Sequence, residues 1–247
     1  MRWFARTEQL IGEEARQRLA QARVAIYGLG GVGSFACETL ARAGVGHLRL
    51  VDHDVVNASN LNRQLLALRS TLGQPKVEVA RARVLDINPE CQVDARRAFL
   101  NNDTVAELLE GPLDLVIDAI DSVNAKTALL QRAVELGLPV VASMGAGGRL
   151  DAGQIETADL FDTHHCPLAA IIRKRLRHRG VGEPGRIRAV FSAEPCQNER
   201  TPHPLDVEGQ APDGPGRPRT PLGTVPYLPA AFGLRVAQEA MGMLMKG

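Results

Sequence analysis

A glycine-rich turn between a short apolar run and an amphipathic stretch constrains the fold of this chain more than any other feature. Residues 24–27 are apolar and predict a buried strand, and residues 32–43 have helical periodicity. Between them lie four glycines: Gly28, Gly30, Gly31 and Gly33. Glycine permits a tight turn and lets the backbone approach a phosphate, which the following helix N-terminus favours. The motif therefore predicts a nucleotide-binding strand, turn and helix.

An acidic residue in the next strand supports this interpretation. Asp52 ends the apolar run 47–51, 24 positions after Gly28. In nucleotide-binding α/β folds a carboxylate at this place accepts hydrogen bonds from ribose hydroxyls. The alternative is a tight corner between strand and helix that binds no ligand. The combination of strand, helix and acid favours nucleotide binding.

Short apolar runs alternate with longer helical stretches along most of the chain, which is typical of βαβ units. The predicted strands are 24–27, 47–51, 92–96, 113–118, 140–144 and 187–193. The predicted helices are 32–43, 76–86, 104–110, 124–135 and 167–178. Weak alternation over 149–158 suggests an antiparallel hairpin. We therefore predict an α/β fold with a Rossmann-like doubly wound, mainly parallel sheet and an antiparallel C-terminal extension.

Composition and length indicate how this fold is organised. The 247 residues are 45% hydrophobic and 23% charged, which excludes a disordered tail or a fibre. A chain of this length can close one core, so we expect a single domain over 1–247. Residues 195–226 hold 8 of the 15 prolines and predict a mobile loop within that domain. Residues 227–247 predict a closing helix.

Two features bear on the expected compartment. The longest apolar stretch, 227–245, contains Arg235 and Glu239, so no membrane span is predicted. The four cysteines form no C-x-x-C pair, and no signal-peptide pattern precedes them. We therefore expect a cytoplasmic protein with reduced thiols.

Polar and cationic residues follow Asp52 closely. They are Asn60, Arg63, Gln64 and Lys76. Such donors suit a nucleoside triphosphate whose pyrophosphate must leave, because preorganised donors stabilise charge that builds on a leaving group. A dehydrogenase would need little beyond contacts to a pyrophosphate and a ribose. Each residue alone is more often a solvated surface group, but together they favour a triphosphate site.

A second carboxylate follows the fourth predicted strand. Asp121 lies just beyond residues 113–118, at the sheet edge where ligands bind in open α/β folds. A carboxylate there can hold Mg²⁺ bound to phosphate oxygens. The alternative is a helix cap, since an acid before residues 122–125 suits a helix N-terminus. We favour the magnesium role.

Together these motifs resemble the ubiquitin-activating superfamily of adenylating enzymes, in its bacterial branch. The matching text is Arg-Thr-Glu at 6–8, Gly-Leu-Gly-Gly-Val-Gly at 28–33, Val-Asp-His-Asp at 51–54, Ser-Asn-Leu-Asn-Arg-Gln at 59–64, Gly-Gln-Pro-Lys at 73–76, Ile-Asn-Pro at 87–89 and Asp-Ala-Ile-Asp at 118–121. Within the superfamily the chain is similar to the tRNA threonylcarbamoyladenosine dehydratases. That similarity lies at 118–123, 145–148, 167–170 and 190–192.

The resemblance implies an ATP site with a role for each residue. Asp52 looks like the ribose ligand and Asp121 like the carboxylate linked to Mg²⁺. The implied triphosphate ligands are Asn60, Arg63 and Lys76, and the implied nucleotide-binding set also includes the four glycines, Asp54, Gln64 and Ser122. Arg6 resembles an arginine that reaches the partner's ATP site in related dimers, which implies a homodimer. The residues expected to act in catalysis are Arg6, Arg63, Lys76 and Asp121.

The reaction implied is attack of a substrate carboxylate on the α-phosphate of ATP, with loss of pyrophosphate. In the dehydratase branch the carbamoyl nitrogen of the modified adenosine then displaces AMP and closes a ring. One alternative is adenylation of the C-terminal glycine of a ubiquitin-like sulfur carrier, although the paired C-x-x-C motifs of many such enzymes are missing here. A second is a nucleotide-regulated binding module without catalysis. An NAD dehydrogenase is the least favoured hypothesis.

A basic segment suggests the macromolecular partner. Residues 171–188 hold seven cationic residues against one acid, Glu183, on a chain of net charge +1. The cations are Arg173, Lys174, Arg175, Arg177, Arg179, Arg186 and Arg188. Clustered Arg and Lys neutralise phosphates and position an RNA backbone. The alternative is a solvated helix face; we favour contact with tRNA.

The cysteines and histidines give weaker signals. Cys37 is expected in the core. Cys166 and Cys196 are candidate acceptors of sulfur or a thioester, which would imply a cysteine desulfurase or a sulfur-acceptor protein as partner. His164 and His165 are adjacent residues, which seldom face one ion, so we expect them to be polar groups of a loop.

Overall fold

The computed structural model describes residues 4–197 and 222–246, which form one seven-stranded sheet with helices on both faces. The strands are β1 Arg23–Tyr27, β2 His47–Val51, β3 Gln92–Arg96, β4 Leu115–Asp118, β5 Val140–Ser143, β6 Ile155–Asp159 and β7 Ile187–Ser192. The helices are α1 Ala5–Ile11, α2 Glu13–Gln21, α3 Gly33–Arg42, α4 Lys76–Ile87, α5 Val105–Leu108, α6 Val123–Glu135, α7 Pro167–His178 and α8 Tyr227–Lys246. The predicted fold class is confirmed.

The sheet order is β3-β2-β1-β4-β5-β7-β6. Every neighbouring pair is parallel except β6 and β7. The last residue of β1, Tyr27, is paired with Val51 of β2 and Asp118 of β4. The carboxyl ends of these three strands therefore meet at one edge, and the order of the strands reverses between β1 and β4. Ligands bind in open α/β sheets at such a point.

The antiparallel extension is confirmed, but the predicted local hairpin over 149–158 is wrong. Only Ile155–Asp159 is a strand, and its antiparallel partner is β7, with Ile155 opposite Ser192. Residues 152–154 form a 3-10 turn instead of a first hairpin strand. Weak alternation marks residues on the face of a sheet, but it does not tell how far along the chain the partner strand lies.

Alternate residues of the strands enter two cores. Ile26 of β1 packs in the core beneath α3, α4 and α8, whereas Tyr27 packs in the core beneath α6 and α7. Both side chains are fully buried. Because side chains alternate along a strand, a sheet covered on both faces reads as a continuous apolar run. This explains why the strands were recognisable from the sequence.

Helices from both ends of the chain pack on the core that contains Ile26. The two helices α1 and α2 were not predicted, since residues 5–21 are mostly polar and only Leu19 of α2 is buried. The closing helix is confirmed as α8. Gly233 lets α8 approach α3 closely, because a Cβ there would lie 2.5 Å from the Val32 carbonyl oxygen. Within the described residues, no helix is both long and apolar enough to cross a membrane.

A buried ion pair connects β4, α6 and β5. The Lys126 Nζ lies 2.7 Å from Asp118 Oδ2 and also donates to the Ser143 carbonyl oxygen at 2.9 Å. Neither side chain is exposed. Burial raises the pKa of Asp118, an effect opposed by the adjacent ammonium. The other carboxylate oxygen accepts from the Ile120 N–H, so the pair also fixes the chain leaving β4 towards Asp121.

Removing the ammonium leaves an uncompensated carboxylate in the core. We expect Lys126→Met to lower the free energy of unfolding by about 3 to 5 kcal/mol, measured by urea denaturation. Lys174→Met, which removes an exposed ammonium from α7, is the control and should change it by less than about 0.5 kcal/mol. A loss below about 1 kcal/mol for Lys126→Met would contradict the buried pair.

Candidate functional site

The glycine turn is a narrow backbone cradle at the switch point of the sheet. Gly28 has φ +88°, and a Cβ there would lie 2.8 Å from the Ala119 carbonyl oxygen. A Cβ on Gly33 would lie 1.8 Å from the Gly28 carbonyl oxygen. No larger side chain fits at either position without displacing backbone. The turn therefore holds β1, α3 and the loop after β4 in direct contact.

Asp52 ties this cradle to the end of β2. Its carboxylate accepts from the Leu29 N–H at 2.6 Å and from the Asp54 N–H at 2.8 Å. The residue is 9% exposed. Its two oxygens are therefore anchored at the rim of the turn, at the place where a ribose ligand is expected in this fold.

Lys76 is a buried cation beside the same turn. It is 4% exposed, and its Nζ lies 2.8 Å from Asp54 Oδ2. The Lys76 N–H also donates to the Asp54 carbonyl oxygen, which fixes the start of α4 against the end of β2. His53 Nε2 lies 3.1 Å from the other oxygen of Asp54. The Asp54 carboxylate thus lies between the Lys76 ammonium and the His53 imidazole.

The loop between β2 and α4 closes over the glycines. Asn60 is buried and its Oδ1 accepts from the Asn57 N–H, so this side chain shapes the loop. Arg63 packs on the turn at Gly31. A Cβ on Gly31 would lie 3.4 Å from the carbonyl oxygen of Arg63 and 3.5 Å from the Cγ of Arg63. The Arg63 Nη1 donates to the Ser59 carbonyl oxygen and to Asn62 Oδ1, each at 2.8 Å.

Gln64 contributes an unsatisfied polar atom to this pocket. Its side chain is 8% exposed, and its Nε2 would lie 3.8 Å from a Cβ on Gly30. Its Oε1 is buried and has no hydrogen-bond partner among the described residues. A buried acceptor without a partner costs free energy, so such an atom points to a missing ligand or water.

Asp121 lies at the same sheet edge, after β4. Its carboxylate is on the exposed side of the loop. The helix α6 begins at Val123, its N-cap is Ser122, and Ser122 makes no side-chain capping bond. Asp121 directly precedes that cap position.

These groups fit a nucleotide and a divalent ion. The cradle excludes side chains where a phosphate would approach, the N-terminus of α3 lies behind it, and cationic groups stand on its rim. Carboxylate oxygens are hard ligands of the type Mg²⁺ prefers, and Asp121 and the cluster Asp52, His53 and Asp54 supply them. Hydrogen bonds connect Asp52, Asp54 and Lys76 to the glycine turn, and Asp121 and Ser122 follow β4 at the same edge of the sheet. Arg6, predicted as a catalytic residue, lies exposed on α1.

A second glycine turn borders this pocket and was not predicted as part of it. Residues 145–148 follow β5, the neighbour of β4. Gly148 N–H donates to the Gly223 carbonyl oxygen at 2.8 Å, and Asn62 Nδ2 lies 3.4 Å from the Thr224 carbonyl oxygen. The consecutive residues Gly223 and Thr224 therefore connect this turn to the loop that contains Asn62.

The basic segment divides between two faces of the sheet. Lys174, Arg175, Arg177 and Arg179 are exposed on or just after α7, and Arg186 is exposed in the loop before β7. Arg177 stacks over Phe161, with its guanidinium carbon 5.2 Å from the ring centroid, and Arg179 donates to Gln131. Arg173 is half-buried and bonds Thr163. These five exposed cationic residues are here termed the basic face.

Arg188 does not belong to the basic face. Its Nε lies 2.8 Å from Glu239 Oε2 of α8 and its Nη2 donates to Thr157. Its neighbour Ala189 packs against α7, so alternation along β7 turns Arg188 to the opposite side of the sheet. Charge density in the sequence could not reveal this separation, which depends on where the strand begins.

Burial disfavours the thiolate form of two of the four cysteines. Burial raises the pKa of Cys37 well above its ordinary value and raises that of Cys91 to about 11. Cys37 is in the core, as predicted. Cys166 is buried and Cys196 is half-exposed against Gly148.

The adjacent histidines contact each other in the loop before α7, where they were predicted to be polar loop groups. The Nδ1 atoms of His164 and His165 are 3.1 Å apart, and His164 Nε2 lies 3.4 Å from Glu156 Oε2. His165 has a positive φ of 51°. Both rings lie at the surface, in the loop before α7.

Comparisons with known proteins agree with this geometry. The model of the ThiF family matches residues 4–246. The tRNA threonylcarbamoyladenosine dehydratase of Bacillus subtilis is 44% identical over 191 residues, which cover 77% of this chain and 74% of that protein. The Escherichia coli enzyme of the same name is 37% identical over 250 residues, 98% of this chain and 93% of that protein.

A solved structure also matches over nearly the whole length. The crystal structure of the E. coli tRNA N6-threonylcarbamoyladenosine dehydratase TcdA in complex with ATP superimposes with a TM-score of 0.86 at 37% identity. The match covers 98% of this chain and 93% of that one. With its glycine cradle, its sheet order and a family match from residue 4 to residue 246, the chain belongs to the ThiF family.

Proposed function

We propose that this protein is an ATP-dependent tRNA threonylcarbamoyladenosine dehydratase. The observation that carries the proposal is the pocket formed by the glycine cradle and the buried Lys76, which Asp54 and Asp52 link to the cradle. Such a pocket suits a triphosphate, and the relatives that match almost the whole chain bear this name. The basic face supplies a surface for the RNA.

The reaction consists of two displacements. A carboxylate oxygen of the threonylcarbamoyl group attacks the α-phosphorus of ATP, the bond to the β-phosphate oxygen breaks, and pyrophosphate leaves. The carbamoyl nitrogen then attacks the acyl carbon, AMP leaves with the carboxylate oxygen, and the nitrogen loses its proton. The tRNA base has then lost the elements of one water, and ATP has become AMP and pyrophosphate. No enzyme thiol takes part.

Each displacement builds negative charge that the site is placed to stabilise. We assign the ribose to Asp52, and the triphosphate to Asn60, Arg63, Gln64 and Lys76 above the N-terminus of α3. Asp54, which holds Lys76 at 2.8 Å, keeps that ammonium at the rim until phosphate oxygens compete for it. Preorganised donors aimed at developing charge lower the barrier without reorganisation.

We further assign Mg²⁺ to Asp121, with Ser122 at its side. When bound, the ion would neutralise charge on the phosphate oxygens of ATP. The carboxylate is exposed at the carboxyl edge of β4, and the buried pair Asp118–Lys126 beneath it orients its loop. This chain thus supplies the hard oxygen ligand and holds it firmly.

Quaternary structure forms part of the proposal. Arg6 lies exposed on α1 and makes no contribution to the pocket of its own chain as described. We propose a homodimer in which Arg6 reaches the partner's ATP site.

A cysteine desulfurase or sulfur-acceptor protein stays a proposed partner, with Cys196 as the half-exposed thiol. We propose that this protein acts in the cytoplasm.

The decisive assay uses tRNA that carries threonylcarbamoyladenosine. With the protein and ATP, nucleosides from that tRNA should lose the mass of one water, and pyrophosphate should exchange into ATP only when the modified tRNA is present. Exchange driven by a ubiquitin-like carrier protein alone would instead support the sulfur-carrier alternative.

Two variants test the triphosphate assignments. We expect Arg63→Ala and Lys76→Met each to lower kcat for cyclisation by about 10²- to 10³-fold, since each removes a cation from developing charge. Arg81→Ala, an exposed arginine of α4, is the control and should keep full activity. Unchanged product with weakened ATP binding would favour a nucleotide-regulated binding module.

The basic face is tested by removing charges that make few internal contacts. We expect Lys174→Gln with Arg186→Gln to raise the KM for tRNA by about tenfold, and to flatten its dependence on salt by roughly 0.7 to 0.9 per lost phosphate contact. Arg81→Gln on the opposite face of the sheet should leave both unchanged. An unaltered salt dependence of the double variant would show that the RNA binds elsewhere.

A further inference from the structure

Arg149 is a buried arginine that no sequence motif identified. It is 3% exposed, and its acceptors among the described residues are four backbone carbonyl oxygens. The Nε reaches Glu194 at 3.0 Å, the Nη1 reaches Gly145 at 2.5 Å and Gly147 at 3.3 Å, and the Nη2 reaches His165 at 3.4 Å. One guanidinium therefore fastens the second glycine turn, the loop before α7 and the loop after β7.

The burial of this charge needs compensation, because an isolated ion is costly in the interior. Four carbonyl dipoles supply it. The carboxylate of Glu194, a residue 7% exposed, accepts from the N–H groups of Leu150 and Asp151, which directly follow Arg149. Guanidinium has five donors in a rigid fork, so no other side chain can make all these bonds at once.

The turn held by Arg149 faces the ATP pocket along the carboxyl edge of the sheet. It follows β5, next to the β4 loop that holds Asp121. On its other side, Gly223 and Thr224 connect it to Asn62 in the loop that covers the glycine cradle. Residues 145–148 are half-buried and thus open to a ligand on one side.

The bonds from Arg149 also set the direction of the peptide groups in the turn. In a trans peptide the N–H points away from the carbonyl oxygen of the same plane. The Gly145 carbonyl oxygen points to the guanidinium, so the Ala146 N–H points away from it. Within the part of the chain that the structure describes, that N–H has no hydrogen-bond partner.

We propose that Arg149 is a positioning residue for the acyl half of the reaction: it holds the turn 145–148 so that the Ala146 N–H donates to the carboxyl group of the substrate and to the acyl-adenylate formed from it. This inference rests on the proposed function and adds the part of the site that receives the carboxylate. Backbone N–H groups in such turns form anion-binding concavities. ATP itself stays with the first glycine turn.

Arg149→Lys and Arg149→Gln test this role. With threonylcarbamoylated tRNA we expect kcat to fall by about 10²-fold, the loss typical of one oxyanion donor, while the Kd for ATP and the KM for tRNA change less than about threefold. Arg149→Lys should retain more activity than Arg149→Gln. Melting temperatures measured in parallel report on folding.

Arg49→Lys is the matched control. Arg49 is also a mostly buried arginine that donates to backbone carbonyl oxygens, those of Leu108 and Glu110, but it lies in mid-strand on β2. Its variant should lower the melting temperature and keep kcat. The proposal is overturned if the Arg149 variants keep kcat, if the Kd for ATP rises by as large a factor as kcat falls, or if both variants melt below the assay temperature. Failure of the wild-type protein to cyclise the tRNA would sink the proposed function instead.

Discussion

The close approach of backbone at the first glycine turn is the constraint on which the rest of the site depends. Where Gly28, Gly33 and Ala119 meet, a single methyl group would overlap main-chain atoms. The end of β1, the loop after β4 and the start of α3 are therefore in direct main-chain contact. Every polar group of the pocket is placed relative to that contact: Asp52 through the Leu29 N–H, and Asp121 through the loop that begins at Ala119.

Around this contact, two buried charged groups stabilise the loops of the site. Buried charges act beneath the surface: Lys126 with Asp118 under the β4 loop, and Arg149 under the second glycine turn. Their partners are mostly carbonyl oxygens and carboxylates that also belong to functional loops. Because a buried charge without its partners is strongly destabilising, these groups commit the loops to one conformation. A preorganised site of this kind needs little rearrangement as charge moves from carboxylate to phosphate.

The sequence was most informative where local chemistry decides structure. Apolar strands, the glycine turn and the start of α7 at Pro167 are local features, and the structure agrees with them. What depends on distant partners was not accessible: β6 pairs with β7 across an intervening helix, and Arg188 turns to Glu239 instead of joining α7. Nothing near Arg149 in the sequence shows that four carbonyl oxygens would surround it. The prolines between 198 and 221 lie outside the described residues, so the predicted loop stays a prediction there.

The central claim is that the substrate carboxylate attacks the α-phosphorus of ATP. It can be tested by labelling the carboxylate oxygens of threonylcarbamoyladenosine in tRNA with oxygen-18 and analysing the products of one turnover by mass spectrometry. Our account predicts one labelled oxygen in AMP, because the oxygen that attacks phosphorus leaves with the nucleotide. Label in inorganic phosphate or in pyrophosphate, with AMP unlabelled, would contradict it.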